Sequence, residues 1–112
     1  MQLRADVERF PRGIALSLSG ELDAYQAPAL REAFAELVEG HEGFVLVLDL
    51  SAVSFLDSTA LGTMVGAVRR LRETGGELRL VLPAGPARRI FELTSLDQVL
   101  EIRPSRGEAM AG

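Results

Sequence analysis

At 112 residues, 47% of them apolar and 25% charged, the chain has the size and balance of one soluble globular domain with a mostly aliphatic core. It has no cysteine, one histidine and only arginine among its twelve basic residues, which excludes disulfides, thiolate metal sites, lysine phosphate loops and Schiff bases, and disfavours an ordinary zinc site. Its net charge of -4 disfavours nucleic acid and anionic lipid, and no apolar run reaches the ~20 residues of a membrane span, so a cytoplasmic protein that neither binds DNA directly nor inserts into a membrane is expected.

Leu3, Ala5 and Val7 alternate with Arg4, Asp6 and Glu8, and beyond Pro11-Arg12-Gly13 the residues Ile14, Leu16 and Leu18 alternate with Ala15, Ser17 and Ser19. A period of two on both sides of a turn predicts a hairpin with one apolar face. Ala27, Leu30, Phe34, Leu37 and Val38 then recur at three- and four-residue steps, which predicts an amphipathic helix with Asp23 as its N-cap and Gly40 as its stop. Phe44 to Leu48 is an unbroken apolar run, continued by Asp49 and Leu50, and predicts a central strand. A second helix follows Asp57-Ser58, with Leu61, Met64, Val65, Val68 and Leu71 on one side and Gly75-Gly76 at its end. Leu78, Leu80 and Leu82 mark a further strand, and Pro83-Ala84-Gly85-Pro86 opens a short helix carrying Ile90, Phe91 and Leu93. Val99 to Ile102 reads as a last short strand, and residues 104–112 as a weakly structured tail of the single domain 1–112, frayed or weakly helical.

Strand–helix–strand alternation after an initial hairpin implies right-handed parallel crossovers, hence an α/β fold with a mixed sheet. The single apolar stripe on each helix and the polar face of the first strands place the helices mainly on one face of that sheet.

The segment Val53-Ser54-Phe55-Leu56-Asp57-Ser58-Thr59-Ala60-Leu61-Gly62 joins the central strand to the second helix. Two readings meet there. Asp57 or Ser58 can cap the helix, accepting a bond from one of its unpaired N–H groups. Alternatively, Ser58 can receive a phosphoryl group, because a helix N-terminus offers partial positive charge and free donors to a phosphate. Such a group adds roughly -1.5 to -2 charges beside Asp57, enough to repel an acidic partner.

Catalysis by Ser58 finds no base within the chain. His41 precedes the central strand and Ser58 follows it, so seven residues at ~3.3 Å each hold them roughly 20 Å apart; His41, between Gly40 and Gly43, reads as a solvated loop residue. Asp49 invites comparison with the phospho-acceptor of receiver domains, but their lysine and acidic pair are absent, and it reads instead as an anchor for the strand-to-helix connection. Gly62 and Gly66, four apart on the second helix, each weaken it relative to alanine and imply close approach of the sheet or of a partner. Arg88 and Arg89 read as a solvated face.

Four stretches give the chain a resemblance to the anti-sigma factor antagonist branch of the STAS domain family: Ser19-Gly20-Glu21-Leu22-Asp23, Val47-Leu48-Asp49-Leu50-Ser51, Phe55-Leu56-Asp57-Ser58-Thr59-Ala60-Leu61-Gly62 and Glu92-Leu93-Thr94-Ser95-Leu96. The element order is similar as well. The resemblance implies a regulator without a cofactor or catalytic residue of its own, which binds a serine-kinase anti-sigma factor and thereby frees a sigma factor. ATP and magnesium belong to that kinase, and a serine phosphatase reverses the modification. Carried over, Ser58 is the acceptor, Asp57 its acidic neighbour, Thr59 and Leu61 its flanks on the exposed helix start, and Gly62 and the loop around Asp23 parts of the same docking edge. Ala60 and Ser95 stand where the family often has glycine, and the tail after Pro104 is short for a terminal helix. The competing reading within the same fold is a constitutive adaptor of a membrane transporter or sensory scaffold, in which Ser58 is a cap only.

Overall fold

In the computed structural model, which describes residues 4–39, 42–98 and 100–111, five strands form one sheet in chain order. β1 (Arg4–Phe10) and β2 (Gly13–Leu22) make the expected antiparallel hairpin, with Val7 opposite Leu16. α1 (Ala27–Val38) leads to β3 (Val45–Leu56), α2 (Ser58–Glu73) to β4 (Glu77–Val81), and α3 (Pro86–Leu93) with a 3-10 turn (Leu96–Gln98) to β5 (Glu101–Arg103). Pairs β2–β3, β3–β4 and β4–β5 are parallel, as the alternation requires. The expected stop at Gly40, the histidine at position 41 and the strand start at Val99 lie outside the described residues.

Strand parity divides the interior in two. Ile14, Leu16 and Leu18 of β2, Leu46, Leu48 and Leu50 of β3 and Leu78, Leu80 and Leu82 at β4 face Leu30 and Phe34 of α1, Met64, Val68 and Leu71 of α2 and Phe91 of α3. Ala15, Val45, Val47 and Val81 point the other way and meet Ala109 of α4 (Arg106–Met110). Helices α1 to α3 therefore share one face, and the five-residue α4 alone covers part of the other. Ser105 starts α4 by accepting a bond from the Glu108 N–H at 3.3 Å, and Ala109 is fully buried, so the segment after Pro104 forms a short helix docked on the sheet. Arg79 holds it there: its buried guanidinium donates to the carbonyls of Ala109 and Ala111 at 2.8 and 3.0 Å and to the Glu77 carboxylate at 2.8 Å. That bond from Arg79 holds the Glu77 carboxyl below its ordinary range, and Glu77 in turn raises Arg79.

Two expectations change. β3 does not end at Leu50 but continues to Leu56, because the ten-residue β2 offers it backbone partners up to Leu22 through two register shifts. Asp49 is thus mid-strand; its carboxylate accepts from the Ser51 N–H at 2.9 Å and the Ser51 hydroxyl at 2.6 Å and lies 3.8 Å from the Arg106 guanidinium, without reaching the β3–α2 connection. Asp23 is not the N-cap of α1, a place taken by Gln26. It instead closes the turn before the helix, accepting from the N–H groups of Tyr25 and Gln26 at 3.0 and 3.1 Å. At the far end of α2 the expected stop is a Schellman arrangement, in which Gly75 takes φ +77° and the Gly76 N–H reaches the Leu71 carbonyl at 2.7 Å.

Candidate functional site

The long parallel pair β2–β3 brings the candidate residues together. Leu22 and Leu56 are register partners at the ends of their strands, and the Asp57 N–H donates to the Leu22 carbonyl at 3.1 Å, so the Asp23 turn and the start of α2 sit side by side. Asp57 has extended backbone and its carboxylate accepts from the Ala60 N–H at 3.0 Å, while its carbonyl receives the first helical bond, from Leu61. Of the two residues able to cap α2, Asp57 does so.

Ser58 is thereby released from structural duty. It is exposed, its hydroxyl makes no hydrogen bond among the described residues, and the N–H groups of Ser58 and Thr59 have no partner there either. An exposed hydroxyl beside unpaired donors and the positive end of a sixteen-residue helix is a site that accommodates a dianionic group. Thr59 is exposed beside it, and its carbonyl accepts from the Thr63 hydroxyl at 3.1 Å.

Leu61 departs from expectation. It is 7% exposed and packs into the main core, because it stands three before Met64 and seven before Val68, in the stripe of α2 that faces the sheet. It supports α2 from beneath and cannot offer a contact surface. Of the two reasons expected for Gly62 and Gly66, close approach of the sheet or of a partner, the first does not hold. Both are exposed, and a Cβ at either position would meet nothing within 4 Å, although each glycine costs the helix roughly 1 kcal/mol relative to alanine. Their missing side chains open a cleft of about 320 Å³ between α1 and α2 that begins at Ser58 and Thr59.

Two exposed aromatics at the same end of the sheet were not singled out from sequence. Tyr25, the only tyrosine, is 91% exposed in the Asp23 turn, and Phe55, opposite Glu21, is 51% exposed. The signal for Tyr25 was its place in a polar turn outside any apolar period, and for Phe55 its place next to the buried Leu56, on the opposite side of the strand.

The STAS domain profile matches residues 4–109. The chain belongs to the STAS domain family. Among its relatives, an anti-sigma-B factor antagonist of Listeria monocytogenes is 43% identical over 101 residues, spanning 90% of this chain and 88% of its own. An anti-sigma-B factor antagonist of Bacillus subtilis is 35% identical over 102 residues, with 91% and 92% covered. The crystal structure of an anti-sigma factor antagonist from Mycobacterium paratuberculosis superimposes with a TM-score of 0.86 at 32% identity, covering 96% of this STAS domain and 91% of that chain. Among the described residues no helix is long and apolar enough to cross a membrane, and no three metal-ligating side chains cluster.

Proposed function

We propose that the chain is an anti-sigma factor antagonist whose unphosphorylated form binds a serine-kinase anti-sigma factor, releasing a sigma factor, and whose binding is switched off by phosphorylation of Ser58. The observation that carries this reading is the freedom of the Ser58 hydroxyl, exposed and unbonded because Asp57 has taken the cap. The names of the relatives, anti-sigma-B factor antagonists, support it. The kinase holds ATP and magnesium; the γ-phosphoryl group moves to the serine oxygen, ADP departs and the hydroxyl proton is taken up by the kinase or solvent. A serine phosphatase returns the hydroxyl by hydrolysis with water.

The docking edge in this reading comprises Asp23, Asp57, Thr59 and Gly62, joined by the exposed Tyr25 and Phe55 as apolar anchors and without the buried Leu61. A phosphate at Ser58 adds roughly -1.5 to -2 charges beside Asp57, on the edge that carries the Asp23 turn, and like charges at an interface cost several kcal/mol, where each ~1.4 kcal/mol is tenfold in affinity. The fold need not move for binding to be lost.

The test is capture from lysate of the native organism with wild-type, Ser58→Ala and Ser58→Asp baits and mass spectrometry of the bound proteins. An anti-sigma factor held by wild type and Ser58→Ala and lost with Ser58→Asp is expected. Transporter or scaffold subunits held equally by all three would replace the switch with a constitutive adaptor.

A further inference from the structure

The cleft between α1 and α2 has a charge opposite to that of the molecule. Arg31 and Arg70 line it, no carboxylate does, and neither arginine has an ion-pair partner among the described residues, in a chain whose net charge is -4. Its floor is apolar and small, formed by Phe34, Ala67 and the bare backbone at Gly62 and Gly66. From Ser58 to Arg70 it follows α2 for twelve residues, about 18 Å at ~1.5 Å per residue. Nothing in the chain's own packing requires glycine at 62 or 66, since a Cβ there would stand in open space. Helix-weakening residues kept at two successive exposed turns, between two uncompensated guanidinium groups, suit a body that approaches from outside.

We infer that this cleft is a second docking element for the anti-sigma factor and takes an acidic segment of it, with apolar side chains on the glycine floor and carboxylates on Arg31 and Arg70. The inference rests on the proposed function, because the cleft opens at Ser58 and shares Thr59 and Gly62 with the docking edge. It adds a contact that extends along α2 away from the phosphorylation site, and so sets affinity and partner choice independently of the switch.

The experiment measures affinity for the purified anti-sigma factor that the Ser58→Ala bait captures, using wild type, Gly66→Gln, the double reversal Arg31→Glu/Arg70→Glu and the charge-keeping Arg31→Lys/Arg70→Lys. Gly66→Gln fills the cleft while strengthening the helix, so its melting temperature should equal or exceed that of wild type. The expected result is binding weakened about tenfold or more by Gly66→Gln and by the glutamate pair, with the lysine pair close to wild type and the salt dependence flattened in the glutamate pair. Binding as tight as wild type by Gly66→Gln and by the glutamate pair would overturn the inference and leave the Ser58 switch standing. Failure of Ser58→Ala to capture any anti-sigma factor would remove both. A concentration-dependent dimer in light scattering that the glutamate pair abolishes would place a second copy in the cleft and overturn the acidic-partner assignment.

Discussion

Asp57 and Ser58 are adjacent, both are good capping residues, and the account gives them different work; their separate substitution is therefore discriminating. The Asp57 carboxylate accepts from the Ala60 N–H at 3.0 Å and also lies at the positive end of α2. Loss of a cap costs ~1 kcal/mol and loss of a carboxylate at a helix start about 0.3 to 1 kcal/mol, so Asp57→Ala should destabilise the fold by about 1 to 2 kcal/mol. In a domain of this size each 1 kcal/mol moves the melting temperature by about 4 °C, giving a fall of about 4 to 8 °C. Asp57→Asn keeps the cap and loses only the charge, and should fall by less than half as much. Ser58→Ala removes a hydroxyl without an intramolecular partner and should stay within about 0.5 kcal/mol of wild type. Thermal and urea unfolding followed by circular dichroism at one protein concentration measures all three. A Ser58→Ala loss as large as that of Asp57→Ala would refute the reasoning, because it would put the cap on Ser58 and remove the free hydroxyl on which the switch depends.

Leu61→Ala should cost about 2 to 5 kcal/mol in urea unfolding through the cavity it leaves, which a surface contact residue would not do. Ser95 sits just past α3 in the left-handed region at φ 59°, so Ser95→Gly should raise stability by about 0.5 to 1 kcal/mol in the same assay. Glu77 ionises more readily folded than unfolded, chiefly because Arg79 donates to it; its contribution is complete above about pH 4.5 and is lost as the pH falls through its lowered folded value. Wild type should therefore lose stability more steeply than Glu77→Gln as the pH falls below about 4.5, measured by urea midpoints through that fall.

The alternation of β1 and β2, the apolar run of β3 and the stripes of α1 and α2 made the order of elements readable, because each buries a single face and so carries its period openly. The second half of β3 was hidden for the converse reason. Ser51, Ala52, Ser54 and Phe55 are exposed, and beyond Asp49 the register partners of the strand, among them those of Ala52 and Phe55, belong to β2 alone, so backbone bonding to a long neighbour, which leaves no side-chain pattern, extends the strand. Arg79 was equally invisible: between Leu78 and Leu80 it reads as an outward residue of a half-buried strand, and only the docking of α4 on the second face buries it. α4 did leave a signal, since Ser105 and Glu108 stand at capping-box spacing. At the site, Asp57 and Ser58 were legible as a pair and only the geometry divided cap from free hydroxyl. Leu61 belonged to the apolar stripe of α2 and to the motif at once, and burial decided for the stripe. Ser95, just past α3, adopts the left-handed backbone that favours glycine, which its own residue type does not announce.

The most direct measurement is intact-mass and peptide mass spectrometry of the chain after incubation with the captured anti-sigma factor, ATP and magnesium, followed by the affinity of the product for that same factor. The account predicts one phosphate, on Ser58, absent from Ser58→Ala, and binding at least about a hundredfold weaker than that of the unmodified chain. A phosphate on another residue, or a Ser58-phosphorylated chain that binds as tightly as the unmodified one, would contradict it.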